Sequence, residues 1–123
     1  MRALICREFG PVESLELTDV PAPTPGPDQM LLNVAATSVN FADSLMVAGK
    51  YQTKPPFPFS PGLEAAGTVA EVGANVKTFK PGDKVMAILA YGGFAEQALA
   101  EPGEVYPLFR GMDFAHGAIF PVA

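Results

Sequence analysis

The chain has 123 residues, of which 49% are hydrophobic, and its 8 basic and 13 acidic side chains give a formal net charge of −5. This length fits one domain with a modest core. The acidic balance and the lack of a basic stripe disfavour binding to nucleic acid or to an anionic membrane, because both kinds of binding depend on basic side chains.

The first residues, "MRALICREFG", contain an apolar run that is too short for a signal peptide. No apolar run reaches the roughly 18 residues of a spanning helix, so we expect a cytoplasmic protein. The single cysteine, Cys6, and the single histidine, His116, cannot supply a disulfide framework or a cysteine-based structural zinc site. We expect Cys6 to be a buried thiol and His116 to have a packing or surface role.

The first predicted elements are two strands of a hairpin. "RALICREF" leads through a Gly-Pro turn into "VESLELTDV". In the second strand, Leu15 and Leu17 alternate with Glu16 and Thr18, a pattern typical of a strand with one buried and one solvated face. We therefore expect both leucines to be buried.

The rest of the chain alternates short apolar runs with turn signals, among them four Pro-Gly pairs. After a surface connection, "PAPTPGPD", the predicted strands are "QMLLNVAATSV", "EAAGTVAEVG", "DKVMAILA" and "GGFAEQALA". The third is apolar nearly throughout, as in a strand that is covered on both faces. Only "NFADSLMVAG" and "GMDFAHGAIF" are helix-like. The pattern predicts a single domain over residues 1–123, mainly β with short helices, folded as a small, partly open barrel.

One helix-like run opens with polar residues that allow two interpretations. Asn40 is a favoured N-cap, Asp43 lies at the third helical position of a capping box, and Gly49 is a suitable stop. These roles are purely structural. Alternatively, the amide of Asn40 and the phenol of Tyr51 could bind a polar ligand and polarise a carbonyl group without a metal.

Four motifs occur in order along the chain: Val39-Asn40-Phe41-x-Asp43, Gly49-x-Tyr51, Pro61-Gly62-x-Glu64-Ala65-Ala66-Gly67 and Gly82-Asp83-x-Val85. In this order and spacing, the sequence resembles the N-terminal, GroES-like catalytic domain of the medium-chain dehydrogenase/reductase superfamily. More narrowly, it resembles the zinc-free quinone oxidoreductase branch. The likeness extends over essentially the whole chain.

The resemblance implies the substrate-side domain of an NADPH-dependent reductase. Hydride would pass from the nicotinamide to a quinone or to the β-carbon of an α,β-unsaturated carbonyl compound. The resemblance places Asn40 and Tyr51 beside the nicotinamide and the substrate carbonyl, as catalytic and cofactor-binding residues, with Asp43 supporting the pocket. It also implies a homodimer, formed through a region that is not in this chain.

The chain departs from the zinc-dependent relatives at their ligand positions. Those proteins carry a cysteine near positions 38–40, a Gly-His-Glu where Gly62-Leu63-Glu64 stands, and a four-cysteine lobe after the "GDKV" strand. None of these ligands occurs here, so we expect no zinc. We interpret Glu64 as a structural carboxylate that needs buried donors, rather than as a catalytic acid.

No G-x-G-x-x-G motif occurs, so the cofactor-binding Rossmann half is expected to lie outside these residues. The apolar ending "AHGAIFPVA" also suggests part of a longer protein. We expect residues 1–123 alone to bind NADPH weakly or not at all and to have no measurable turnover. Two alternatives remain open: a non-catalytic interaction module with this fold, and an enoyl reductase module of a polyketide-type enzyme.

Overall fold

The structure is a computed structural model, and it describes residues 1–120. Its elements, in chain order, are β1 (Arg2–Ile5), β2 (Glu16–Asp19), β3 (Met30–Thr37), α1 (Phe41–Val47), β4 (Glu64–Val72), β5 (Lys84–Ile88), β6 (Gln97–Ala100), β7 (Val105–Pro107) and α2 (Phe114–Ile119), with short 3-10 turns at Val12–Ser14 and Pro102–Glu104. None of the helices described in this range has both the length and the apolar character needed to cross a bilayer.

The strands of residues 1–120 form two antiparallel sheets that do not close on each other. The larger has five strands in the order β6-β3-β4-β5-β7, and the smaller pairs β1 with β2. Single bridges from Ala3 to Ala95 and from Cys6 to Phe59 join the hairpin to the rest of the domain. The predicted fold class, mainly β with short helices in a partly open barrel, is confirmed.

The main core lies against one face of the larger sheet, and β5 shows how both faces are covered. Val85 and Ala87 belong to the main cluster of buried side chains, together with Met30 and Leu32. Met86 points the other way and packs with Ala118 of α2. The apolar run of β5 therefore is covered on both faces, as its sequence predicted.

The prediction for the second strand of the hairpin was wrong for Leu17, whereas Leu15, which precedes β2, is half-buried against the cluster that contains Cys6. Leu17 is 61% exposed. The pairing explains the error: buried Ala3 lies opposite Thr18, whereas Leu17 lies opposite Leu4 on the outer face. Because side chains alternate along a strand, a shift of one residue moves every side chain to the other face.

Other local predictions can be compared with the structure directly. Both predicted helices are present as α1 and α2, whereas β7 was not predicted. Cys6 is a buried free thiol, as expected. The His116 side chain is 72% exposed, and its Nδ1 lies 2.6 Å from Asp113 Oδ1, which fits the expected surface role.

A close backbone contact joins β3 to β4, the strands that frame the site described below. The register shifts between Val34 and Ala36, where Gly67 lies opposite Val34. A Cβ atom placed on Gly67 would lie 1.9 Å from the carbonyl oxygen of Asn33. No rotamer change can relieve a clash with backbone, so this register requires glycine.

We predict that Gly67→Ala lowers the free energy of unfolding by at least about 2 kcal/mol, because the two strands must separate or shift. Gly103→Ala is the matched control, since a Cβ there meets nothing within 4 Å. It should change stability by less than about 0.5 kcal/mol. Chemical denaturation of both variants measures the difference, and equal stabilities would contradict this account of the β3–β4 contact.

Candidate functional site

The candidate site is the corner where β3 ends, α1 begins and β4 starts. Thr37, the last residue of β3, lies opposite Ala65 of β4. Its hydroxyl donates to the backbone carbonyl of Glu64 at 2.8 Å. Because α1 begins at Phe41, only residues 38–40 separate it from β3. These three residues are therefore held beside the first residue of β4.

Asn40 and Asp43 form the capping box that their three-residue spacing predicted. The backbone N–H of Asn40 donates to Asp43 Oδ2 at 2.7 Å. The other carboxylate oxygen, Oδ1, accepts from the backbone N–H of Gly62 at 3.1 Å. One carboxylate, only 3% exposed, thus ties the first turn of α1 to the loop that precedes β4.

The environment of Asp43 shifts its protonation equilibrium. Burial raises the pKa of the Asp43 carboxyl, because the charged form loses solvation. The hydrogen bonds from the backbone N–H groups of Asn40 and Gly62 lower this pKa, and the negative charge of Glu64 raises it. The net direction is upward, so the corner favours protonated Asp43 more than water does.

Glu64 has hydrogen-bond donors, as the sequence analysis expected, although they come from half-buried residues. It is 1% exposed. Its Oε1 accepts from the hydroxyl of Ser38 and from the side-chain nitrogen of Asn40, the latter at 3.1 Å. The Asn40 residue is therefore connected to both carboxylates of the corner, to Glu64 through its amide and to Asp43 through the capping box.

Tyr51 lies beyond the other end of α1. The helix stops at Gly49, whose φ of +77° suits glycine. Tyr51 is half-buried against a cluster that includes Met46 and Phe59. Within residues 1–120 its hydroxyl makes no hydrogen bond, so packing alone positions the ring. Asn40 and Tyr51 thus flank α1, one at its N-cap and the other two residues beyond Gly49.

Large apolar side chains flank Asn40. Val39 is 83% exposed and Phe41 is 80% exposed. Neither side chain packs into a hydrophobic cluster of residues 1–120. The corner thus combines a buried polar network with an apolar rim, which suits a flat molecule that carries a few hydrogen-bonding groups.

A groove lies elsewhere in the domain, and the predicted site residues do not line it. Its volume is about 700 Å³, and its wall includes Ala3, Ile5, Phe59, Tyr91 and Ala98. Ligand pockets need convergent polar groups as well as volume. The polar side chains on this wall include Gln29 and Glu101, which hydrogen-bond to each other at 3.2 Å. We therefore place the candidate site at the corner, where buried carboxylates, an amide and a hydroxyl converge.

Sequence reasoning missed two features of this corner. It assigned no role to Ser38, although Ser38 and Asn40 are separated by the two-residue spacing of an extended strand. The predicted strand "GGFAEQALA" also began too early: β6 begins only at Gln97, and the backbone of Gly93 packs against Gly62. A Cβ on Gly62 would lie 2.7 Å from Gly93, and the φ of +113° at Gly62 favours glycine as well.

The corner offers a potential metal only carboxylates that are already engaged. Both oxygens of Asp43 accept backbone N–H groups, and Glu64 accepts from Ser38 and Asn40. Among residues 1–120, no three His, Cys, Asp or Glu side chains form a group that could hold a metal ion. The polar groups of the corner are therefore better suited to hydrogen bonding than to metal coordination.

Comparison with protein families identifies the fold. The family described as "Alcohol dehydrogenase GroES-like domain" matches residues 26–110, which is more than half of the chain. The chain therefore belongs to the alcohol dehydrogenase GroES-like domain family. Its relatives belong to the medium-chain dehydrogenase/reductase superfamily, as the resemblance implied.

Relatives of this chain include several quinone oxidoreductases. The quinone oxidoreductase of Lama guanicoe is 43% identical over 99% of this chain and 38% of the relative. The human synaptic vesicle membrane protein VAT-1 homolog-like protein has a crystal structure that aligns with a TM-score of 0.91 and 33% sequence identity. The alignment covers 98% of this chain and 38% of that chain. The quinone oxidoreductase of Thermus thermophilus, also solved with NADPH, is 35% identical with a TM-score of 0.81, covering 99% and 37%.

The chain thus spans about two fifths of the length of these relatives. The shared part is the GroES-like domain. What the relatives' names say of their substrates and cofactors describes those proteins, and for this chain it supports a proposal.

We predict that Asp43→Asn lowers the free energy of unfolding by about 1–3 kcal/mol, because an amide offers one acceptor where two backbone N–H groups point. Asp19→Asn, at an exposed carboxylate of β2, is the control and should change stability by less than about 0.5 kcal/mol. Thermal and chemical unfolding measure both variants. If Asp43→Asn is as stable as the control, Asp43 does not tie α1 to the Gly62 loop.

Proposed function

We propose that this chain is the substrate-side domain of an NADPH-dependent oxidoreductase that reduces quinones or α,β-unsaturated carbonyl compounds without zinc. The observation that carries the proposal is the corner itself, where an anchored amide, buried carboxylates and an apolar rim lie together. The quinone oxidoreductase relatives support this choice, and one of them was solved with NADPH. We further propose a cytoplasmic homodimer that has small-molecule partners and binds neither nucleic acid nor membrane.

The residues of the corner suit the nicotinamide end of NADPH. Asn40 and Tyr51 supply an amide and a phenol, and the exposed faces of Val39 and Phe41 suit an uncharged ring. No Gly-rich phosphate-binding turn occurs in the 123 residues. On this proposal the chain contacts the reactive end of the cofactor, and its diphosphate is bound by residues outside this sequence.

The chemistry divides between cofactor and chain. When bound, NADPH supplies the hydride. The phenol of Tyr51 donates a hydrogen bond to the substrate carbonyl oxygen and stabilises the negative charge that develops on it. Asn40 binds beside it, and Asp43 holds the backbone that presents Asn40. A proton from water or a nearby side chain completes the reduction.

Zinc is unnecessary in this scheme because neutral hydrogen-bond donors polarise the carbonyl. The carboxylates of the corner are already engaged by N–H and O–H donors, so a metal would have to displace those bonds. The thiol and imidazole side chains of the sequence, Cys6 and His116, lie just after β1 and on α2 respectively. Neither belongs to the corner's hydrogen-bond network.

The test is NADPH oxidation by the full-length protein against a panel of quinones and enones. We expect turnover with at least one of these classes, with and without a zinc chelator. Turnover only with thioester-linked enoyl substrates would favour the polyketide-type enoyl reductase. Failure of every substrate, with NADPH unbound, would favour the non-catalytic module.

We predict that Tyr51→Phe in the full-length protein lowers kcat at least about tenfold, since it removes one donor to the developing charge. Asn40→Ala should lower kcat by a similar factor, with a loss of about 1 kcal/mol of stability because the hydrogen bond to Glu64 is removed. Tyr106→Phe, on the edge strand β7, is the control and should leave kcat unchanged. The assigned roles fail if both site variants keep wild-type kcat while Tyr106→Phe behaves as expected.

We also predict that residues 1–123 expressed alone show no measurable NADPH oxidation, because the phosphate-binding turn is missing from them. Circular dichroism and a cooperative thermal transition provide the control that the domain is folded. Robust reductase activity from a folded fragment would show that the rest of the relatives' length is not needed for turnover.

A further inference from the structure

The bond from Asn40 to Glu64 connects the candidate site to the strand behind it. Glu64 is the first residue of β4, where it pairs with Ile88 of β5. Its Oε1 accepts from the Ser38 hydroxyl and, at 3.1 Å, from Asn40 Nδ2. Asn40 Nδ2 also lies 3.5 Å from Ser38 Oγ. The side chains of Ser38 and Asn40 therefore converge on one carboxylate oxygen.

This arrangement determines which way the Asn40 amide faces. An asparagine side chain presents a donor on one side and an acceptor on the other, and the two orientations have nearly the same shape. A carboxylate oxygen only accepts, so it selects the orientation in which Nδ2 points inward. The Ser38 hydroxyl, whose hydrogen points to Glu64, turns a lone pair toward the same nitrogen. Both neighbours select the same orientation.

A contribution to stability is by itself a weak reason for a carboxylate at this position. Burying a carboxylate costs free energy that the hydrogen bonds only offset, and an apolar side chain of similar volume would often serve stability as well or better. Glu64 also lies on a strand that is paired on both sides, by β3 and β5. A rigid strand is a suitable place for a group that holds another side chain in position.

We propose that Glu64 is a positioning residue that, together with Ser38, fixes the orientation of the Asn40 amide for ligand binding. The proposal rests on the function proposed above, in which Asn40 contacts the bound cofactor or substrate. Glu64 itself touches neither in this account. It acts only through Asn40, and this restriction makes the proposal testable.

The test is a double-mutant cycle in the full-length protein with Glu64→Gln, Asn40→Ala and the double variant. Glutamine keeps the size of Glu64 but offers a donor as well as an acceptor, so either amide orientation becomes possible. We expect Glu64→Gln to lower kcat about three- to tenfold, as when a charge-assisted hydrogen bond becomes a neutral one. In the Asn40→Ala background, the same change should have no further effect on kcat.

A structural role would give a different result. Glu64→Gln would then lower kcat by the same factor with and without Asn40, and that outcome overturns the proposal. Thermal unfolding is measured alongside, since any loss of stability should appear in both backgrounds. If Asn40→Ala alone leaves kcat unchanged, the proposed role of Asn40 in binding fails, and the role of Glu64 fails with it. If both single variants lower kcat and their losses add, only the role of Glu64 fails.

Two further measurements make the test independent of one variant. Ser38→Ala should lower kcat a few-fold, whereas Ser44→Ala, whose hydroxyl bonds only to the Phe41 carbonyl within α1, should not. Secondly, NMR of the Asn40 side-chain NH₂ group reports its environment without turnover. We expect Glu64→Gln to shift these signals and speed their exchange with water. Unchanged signals would overturn the proposal even if the protein is active.

Discussion

The corner of this domain depends on the need to satisfy a buried carboxylate. Asp43 is nearly inaccessible to water, and a carboxylate in such a place is tolerated only when both oxygens accept hydrogen bonds. The two donors are backbone N–H groups from Asn40 and Gly62, which are 22 residues apart in the chain. Satisfying one side chain therefore fixes the helix start and the loop before β4 relative to each other.

Gly62 contributes to this arrangement in a second way. Its N–H donates to Asp43, its positive φ favours glycine, and its lack of a Cβ lets the backbone of Gly93 approach. The segment that begins with Gly92 is thereby held against the loop by backbone hydrogen bonds, including one from Gly93 to the Gly62 carbonyl. A single turn conformation thus connects the site to the strand β6 that follows.

The sequence predictions were accurate for interactions between residues close in the chain and failed for interactions between distant ones. The capping box involves residues three apart and was predicted from Asn40 and Asp43 alone. The end of the helix was likewise predicted from one local residue, Gly49. The face of Leu17 was predicted wrongly, because the partner strand sets it and the alternation of β2 by itself does not. The bond from Asn40 to Glu64 joins residues 24 apart, so no local pattern could reveal it.

The resemblance to a family supplied what local patterns could not. It placed Asn40, Tyr51 and Asp43 in one pocket, and the structure shows a direct bond between the first and the last of these. Tyr51 stands apart at the far end of α1, held only by packing. Its place beside the substrate is therefore still a prediction that rests on the resemblance.

The two proposed donors are unequal in physical terms, and this difference suggests how they divide the work. The amide nitrogen of Asn40 already donates to Glu64, so it is oriented but partly engaged. The Tyr51 hydroxyl makes no bond within the described residues, so its full donor capacity is available to a ligand. A developing oxyanion is stabilised most by a donor that has no competing acceptor and is already in place. On this argument Tyr51 is the better partner for the substrate carbonyl, and Asn40 is better suited to hold the flat ring beside it.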